Sequence, residues 1–268
     1  MYFDTHAHYD DKRFSEDREE LLTKHLPASN VARVVNIGAS MRSSKESVRL
    51  AEKYDYVYAT VGVHPHSAKD ISDEDLSALL EFSKHDKVVA IGEIGLDYHY
   101  DFSPRDIQQK RFREQLEIAV ETGLPVVIHS REAHEDTYRI VKEYAPKLNN
   151  LILHCFGYNA EIALEYAQLG AFIAFGGAVT FPKAADTQEA AARLPRDHII
   201  LETDCPYIAP VPLRGKRNDS TTLPHIMQKL AELRGISHEE AAAVVWENSL
   251  RAYGICAVKG GSNIAKWL

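Results

Sequence analysis

The chain has 268 residues, 45% of them hydrophobic and 26% charged, a composition that builds a globular protein with a sizeable core. A formal net charge of -8 at pH 7 excludes retention of nucleic acid by a broad basic surface, although divalent cations in a pocket reverse the local field there. No leader pattern or membrane-length apolar window is present, and Cys155, Cys205 and Cys256 are odd in number and far apart; the expectation is a cytoplasmic protein without disulfides or membrane contact.

Short apolar, β-branched runs alternate with longer amphipathic stretches. In chain order the runs are "MYFDTHA", "ARVVNIG", "YVYATVGV", "KVVAIGEIG", "LPVVIHS", "NLILHCF", "AFIAFGG" and "HIILETD". Between them the pattern predicts helices over about Glu16 to Pro27, Ser43 to Tyr54, Asp73 to His85, Pro104 to Thr122, Ala133 to Tyr144, Ala160 to Gln168 and Ala184 to Leu194. Eight strand-helix units predict an α/β fold, a (β/α)8 TIM barrel, rather than an open sheet of five or six strands. A Pro-rich loop, "CPYIAPVPLRGKRNDS", leads to two extra C-terminal helices, Thr222 to Arg234 and His238 to Tyr253, the second opened by Ser237 with Glu240 at capping-box spacing. Residues 1–254 read as a single barrel domain and 255–268, which lack helical periodicity and carry Gly260, Gly261 and Ser262, as a tail without an assignable role.

Ionisable groups of metal-ligating type fall at the C-terminal ends of the apolar runs. The first ends in Asp4, His6 and His8, which alternation places on one side of a strand. The fourth ends in Glu93 with Asp97 beyond it, the fifth in His129, the sixth in His154 and the eighth in Asp204. Barrel enzymes place their chemistry at that face. A single histidine ending an apolar strand is commonly a hydrogen-bonded core or rim residue, but Glu93 and Asp204 face a desolvation cost unless paired or ligated. Six of them, His6, His8, Glu93, His129, His154 and Asp204, exceed the three protein ligands usual for one catalytic zinc. Two divalent metal ions sharing Glu93 would each keep a mixed nitrogen and oxygen set. Such a pair activates a shared water and stabilises both oxygens of an in-line displacement, which is what phosphoester hydrolysis needs.

The runs "FDTHAH", "GVHPH", "IGEIGLDY", "IHSR", "LHCF", "ETDCPY" and "PLRGKRN", in this order and spanning the chain to about residue 250, closely resemble the TatD family of metal-dependent deoxyribonucleases, part of the amidohydrolase-like metal hydrolases. The resemblance implies a barrel, hydrolysis of DNA phosphodiesters, often as an exonuclease, and a cytoplasmic enzyme. Carried over by position, His6 and His8 hold one metal together with Asp204, Glu93 bridges, and His129 and His154 hold the second. Glu93 and Asp204 are then the catalytic carboxylates, Asp204 as general base or as ligand only.

Around this set, His64 ends the third strand before a stiffening Pro65 and reads as a substrate-phosphate contact or a rim histidine. Arg131, two residues beyond His129, reads as a phosphate fork or a surface salt bridge. Arg214, Lys216 and Arg217 form a basic loop hanging from the catalytic face, which reads as a solvated loop or, with Arg214 and Arg217, as a contact to the DNA backbone. Cys155 and Cys205, each following a proposed ligand, read as packing residues. Tyr98, Tyr207 and Phe156 are candidates to stack on a terminal base, with core packing the alternative. The chain departs from the family pattern at "DSTTLP" after Asn218 and at "ENSLRAYGI" in the last helix.

The competing readings are an amide or lactone hydrolase of the same superfamily and a binding protein on a hydrolase fold. Related enzymes often bridge their metals with a modified lysine, whereas here that position is Glu93 and Lys87 precedes the strand. A lapsed site need not keep six matching groups. Imidazole ligands favour zinc, manganese, cobalt or nickel, while the resemblance points to magnesium-supported activity. DNA is the expected partner, no protein partner is implied, and a monomer is the expected state.

Overall fold

The alternation of apolar runs and amphipathic stretches folds as strand-helix units. The computed structural model describes residues 1–255. Its strands are β1 (Tyr2–Ala7), β2 (Val31–Asn36), β3 (Val57–Val61), β4 (Val88–Asp97), β5 (Val126–Arg131), β6 (Leu151–Leu153), β7 (Phe172–Phe175) and β8 (Ile199–Leu201). All neighbours pair in parallel and in sequence order. A parallel bridge between Ala7 and Cys205 joins the two edges, with the Asp204 N–H donating to His6 O at 2.9 Å and the His8 N–H to Cys205 O at 2.8 Å. The sheet is therefore a (β/α)8 barrel, closed just where the first and last proposed ligands lie.

Helix ends follow local chemistry. The Ser40 hydroxyl accepts from the Ser43 N–H ahead of Met41–Lys53, Ser72 and Asp75 form a reciprocal box ahead of Asp73–Ser83, and Gly123 takes a left-handed conformation after Arg105–Thr122. Ser237 likewise accepts from the Glu240 N–H at the start of His238–Tyr253. The first helical stretch differs most from expectation. A 3-10 turn at Lys12–Phe14 precedes a helix over 18–28 that is π-wound at Leu21–His25, and Arg18 ties this segment to the Tyr9, Asp10 and Asp11 carbonyls. β6 and β8 are shorter than their apolar runs because the chain turns at Cys155, which has φ 45°, and at Asp204, which has φ 53°.

Inside the barrel, Phe3, Val35, Val89, Val127, Ile152, Phe172 and Ile200 pack with Leu250 and Tyr253 of the last helix. Phe3 and Tyr253 stack at 6.2 Å, and the Tyr253 hydroxyl donates to Thr5 O at 2.7 Å. Asn248 of the same helix donates to the Arg196 and Ile199 carbonyls at the start of β8. This helix therefore plugs the N-terminal end of the barrel, and burying each of its large apolar side chains contributes about 1.5–3 kcal/mol. With the bottom filled, the opposite end is left for chemistry. Ile255 joins this cluster. The rest of the expected tail, Cys256 included, lies outside the described residues. Among the described residues no helix is long and apolar enough to cross a membrane.

Candidate metal centre

β1 delivers the first two histidines through a register shift between Asp4 and Ala7. The shift corrects one expectation: Asp4 does not share a face with His6 and His8. Its carboxylate instead accepts from the Thr203 N–H at 2.9 Å, the Thr203 hydroxyl at 2.6 Å and the Ser220 hydroxyl at 2.5 Å, stapling β1 to the chain beyond β8. Burial pushes the Asp4 carboxyl up to about 7 against those hydrogen bonds. Ser220 lies in the "DSTTLP" departure, which thus serves the barrel seam.

The six proposed ligands meet at the C-terminal mouth. His6 Nε2 lies 3.2 Å from His8 Nε2, 3.6 Å from Glu93 Oε2 and 3.8 Å from Asp204 Oδ1, while His8 Nε2 is 3.4 Å from the same Asp204 oxygen. Across the centre, Glu93 Oε1 lies 2.9 Å from His129 Nδ1 and 2.7 Å from His154 Nε2, and these two nitrogens are 3.2 Å apart. Oε2 of Glu93 thus faces His6, while Oε1 faces His129 and His154. Ligating atoms of His6, His8 and Glu93 all fall within 4.8 Å of one another. Four imidazoles and two carboxylates, converging at these distances inside a protein, fit the donor set of divalent cations.

Glycine makes the approach of β4 to β5 feasible. At Gly95, φ is 139° and a Cβ would lie 2.0 Å from His129 O, so any side chain there would displace the strand that carries His129. The Glu93 N–H donates to Gly38 O at 2.7 Å, which fixes its backbone. Burial disfavours the Glu93 charge, but His154, His64 and His129 around it outweigh that and hold the carboxyl well below its usual range. His8 loses to burial and gains more from Asp204 and Glu93, ending at about 9. His6 is lowered by burial and by the charge of His154. A cation arriving here competes with protons for the imidazoles.

A supporting layer went largely unread in the sequence. Asp97 Oδ2 lies 2.9 Å from His129 Nε2 and 3.1 Å from His66 Nε2, and its Oδ1 accepts from the His99 and Tyr100 N–H groups. With Nε2 bound to Asp97, the Nδ1 lone pair of His129 is free to face Glu93 and the centre. Burial works against the Asp97 charge, and hydrogen bonds from His129, His66 and the Tyr100 N–H more than offset it, leaving the carboxyl far below its usual range. Fully buried Glu202 receives the Cys155 N–H at 2.6 Å and lies 3.4 Å from His154 Nδ1. Strand parity signals it: Ile200 faces the barrel interior, and Glu202 follows two positions later, as His129 follows Val127 and His154 follows Ile152.

These groups open into a cavity of about 930 Å3, lined by His8, His64, Glu93, Asp97, His129, His154 and Asp204, with Lys12, Arg42 and Arg131 as its basic residues. His64 Nδ1 accepts from the His66 N–H at 3.1 Å and its Nε2 is 3.5 Å from Glu93 Oε1. Of the three expected phosphate-binding arginines only Arg131 lines the cavity. Arg214 lies over the Phe181 ring, and Arg217 donates to the Asp17 carboxylate and the Arg13 carbonyl. Tyr207 lines the cavity and is exposed, Tyr98 donates to Asp136 beneath Arg105, and Phe156 is buried. Neither Cys155 nor Cys205 belongs to a candidate metal-binding group among the described residues. Asn218, from the "GKRN" run, donates to the Thr203 and Tyr207 carbonyls and so shapes the loop that bears Asp204.

A closed parallel barrel with imidazoles and carboxylates gathered at its C-terminal mouth defines a class, the metal-dependent hydrolases. The sequence model of the family described as "TatD related DNase" matches residues 3–254, and the chain belongs to that family. It is 41% identical to the metal-dependent hydrolase YabD of Bacillus subtilis (strain 168), over 95% of this chain and 100% of that one. It is 35% identical to the "3'-5' ssDNA/RNA exonuclease TatD" of Erwinia tasmaniensis, over 94% of this chain and 100% of that one. Among solved structures, the TatD homolog YJJV of Escherichia coli K12 superposes with a TM-score of 0.88 at 32% identity, covering 95% of this chain and 98% of that one.

Proposed function

We propose that the protein is a divalent-metal-dependent nuclease that removes nucleotides from the 3′ end of single-stranded DNA, and of RNA, at a dinuclear centre. The observation that carries the reading is the division of Glu93, with Oε2 toward His6 and Oε1 toward His129 and His154. His6, His8 and Asp204 would hold one ion, His129 and His154 the other, and Glu93 both. Bound there, two ions supply Lewis acidity for the phosphoryl oxygens and a water of lowered pKa.

The chain's own groups do the rest. Asp204, whose charge is favoured by His8, His6 and His154 despite burial, offers Oδ1 to take the proton of the attacking water. His64 accepts the His66 N–H at Nδ1, so its Nε2 carries the proton and points a donor at the phosphate position beside Glu93. Arg131 presents a planar fork at the mouth for a non-bridging phosphate oxygen. Phosphate charge meets a centre made positive by its cations, which is why a chain of net charge -8 can act on a polyanion. The direction of digestion and the acceptance of RNA follow the printed function of the Erwinia relative.

The test uses metal-stripped protein with 5′- and 3′-labelled single-stranded DNA, duplex DNA and RNA, adding magnesium, manganese or zinc singly. Metal-restored, stepwise loss of 3′ nucleotides is expected, fastest on single strands. Silence with every metal, from protein shown by equilibrium titration to bind two ions, overturns the reading in favour of a small-molecule ester or amide substrate.

A further inference from the structure

Five large hydrophobic side chains stand exposed among the described residues, and three of them, Tyr100, Phe102 and Tyr207, line the one cavity that holds the candidate centre. Phe102 is 55% exposed and Tyr100 46%. Their rings stack at 5.2 Å with 21° between planes, and the Arg131 guanidinium sits 4.8 Å from the Tyr100 centroid. Exposure of two rings is unfavourable by the hydrophobic effect, so something must hold them out.

The loop that carries them is pinned on both sides of Phe102. Asp97 Oδ1 accepts from the His99 and Tyr100 N–H groups, the buried Ser103 hydroxyl donates to His66 O at 3.0 Å, and Gln108 donates to the Ser103 carbonyl at 2.8 Å. The His66 ring meets Phe102 edge-on at 4.8 Å. The rings are thus presented by a rigid frame that is tied, through Asp97, to the ligand His129. A pre-formed apolar plate loses little entropy when something lies on it.

We propose that Phe102, backed by Tyr100, is a stacking subsite for an unpaired nucleobase next to the scissile phosphate. The inference rests on the nuclease reading above and deepens it. Arg131 lies over the ring that backs Phe102, so a phosphate on its fork and a base on Phe102 would share this side of the cavity. An aromatic plate accepts every base through its π-face, so the subsite reads single-strandedness rather than sequence. It also requires the base to leave any duplex, which makes paired ends poor substrates. Tyr207, 45% exposed, stands on the β8 side of the cavity beside His8, so the mouth has aromatic walls at both halves of the centre.

The experiment measures kcat/KM on single-stranded oligonucleotides that carry an abasic spacer at the first, second or third position from the 3′ end. Wild type is expected to lose about tenfold at one of these positions, within the range for one base-aromatic stack. In Phe102→Ala the loss at that position is expected to vanish, and in Phe102→Trp to return; Tyr100→Leu provides a second variant with the plate weakened. The proposal is overturned if wild type is indifferent to the spacer at all three positions, or if Phe102→Ala keeps the wild-type ratios. A wild type that shortens no strand with any metal instead removes the nuclease reading and this inference with it, so the two failures are told apart by the unmodified strand alone.

Discussion

Replacing Asp97 by Asn changes one charge and almost no volume, and its effect on the centre can be worked from the contacts. Oδ1 of Asp97 accepts two backbone N–H groups, His99 at 3.1 Å and Tyr100 at 2.9 Å. An Asn side chain keeps those bonds only by placing its carbonyl oxygen there, which aims its NH2 at His129 Nε2 and His66 Nε2. His129 Nε2 must then accept instead of donate, so its proton moves to Nδ1, the atom that faces Glu93 and the centre. The lone pair offered to a cation is lost along with a charge-assisted hydrogen bond of about 1.5–3 kcal/mol. That corresponds to metal affinity lower by about 10- to 100-fold on the His129–His154 side, the usual scale for such supporting carboxylates. Binding by His6, His8 and Asp204 is expected to change little. Titration calorimetry of stripped protein with manganese or zinc should therefore show one site weakened and one retained, with the far-UV spectrum unchanged. Two sites of wild-type affinity in Asp97→Asn refute the argument, because the assigned tautomer would not matter.

Other consequences are measurable in the same way. Glu93→Ala and Asp204→Ala are each expected to reduce turnover by at least about a thousandfold, the equivalent of about 4 kcal/mol of transition-state stabilisation, with the fold retained by circular dichroism; unaltered turnover in either would remove its catalytic assignment. Saturating metal should raise the thermal midpoint of stripped protein, by about 5 to 10 °C at a hundredfold excess over Kd, and a midpoint that ignores metal would argue against the cluster as a binding site. Burial raises the Asp4 carboxyl to about 7 in the fold, well above the usual carboxylate value of about 4. Its protonated form is the one favoured by folding, so the contribution is full below about pH 4 and is lost as pH rises through 7, on the order of 4 kcal/mol in all. Asp4→Asn, which keeps a neutral amide between Thr203 and Ser220, should gain stability relative to wild type over that window in denaturant titrations; a constant difference from pH 4 to 8 would contradict the burial argument. Gly95→Ala should prevent assembly of the β4–β5 edge, since its Cβ falls 2.0 Å from His129 O; soluble protein with normal metal uptake would show that the strand can yield.

The (β/α)8 architecture was legible because it depends on periodicity. β-branched runs bury a strand, amphipathic stretches cover it, and the count of eight closes the sheet. Helix ends such as Ser40, Ser72 and Gly123 are decided within four residues of chain, and these fell within a few positions of expectation. His6, His8, Glu93, His129, His154 and Asp204 stood out for a related reason: each interrupts an apolar run at the end where barrels keep their chemistry.

What the tertiary structure alone decided are partnerships between distant segments. Asp4 left the histidine face because β1 shifts register against β2 and because Thr203 and Ser220, about two hundred residues away, offer it hydrogen bonds. Arg217 turned to Asp17 instead of the cavity, and Arg131 found Tyr100, since a long side chain settles on whichever neighbour folding brings near. The division of the Glu93 oxygens, the Asp97 link to His129 and the exposed Tyr100–Phe102 plate are of the same kind. Local sequence determines which backbone conformation and which burial pattern a segment prefers, since those terms act over a few residues. Hydrogen bonds, ion pairs and ring contacts act over a few ångströms between parts of the chain that only the closed barrel brings together.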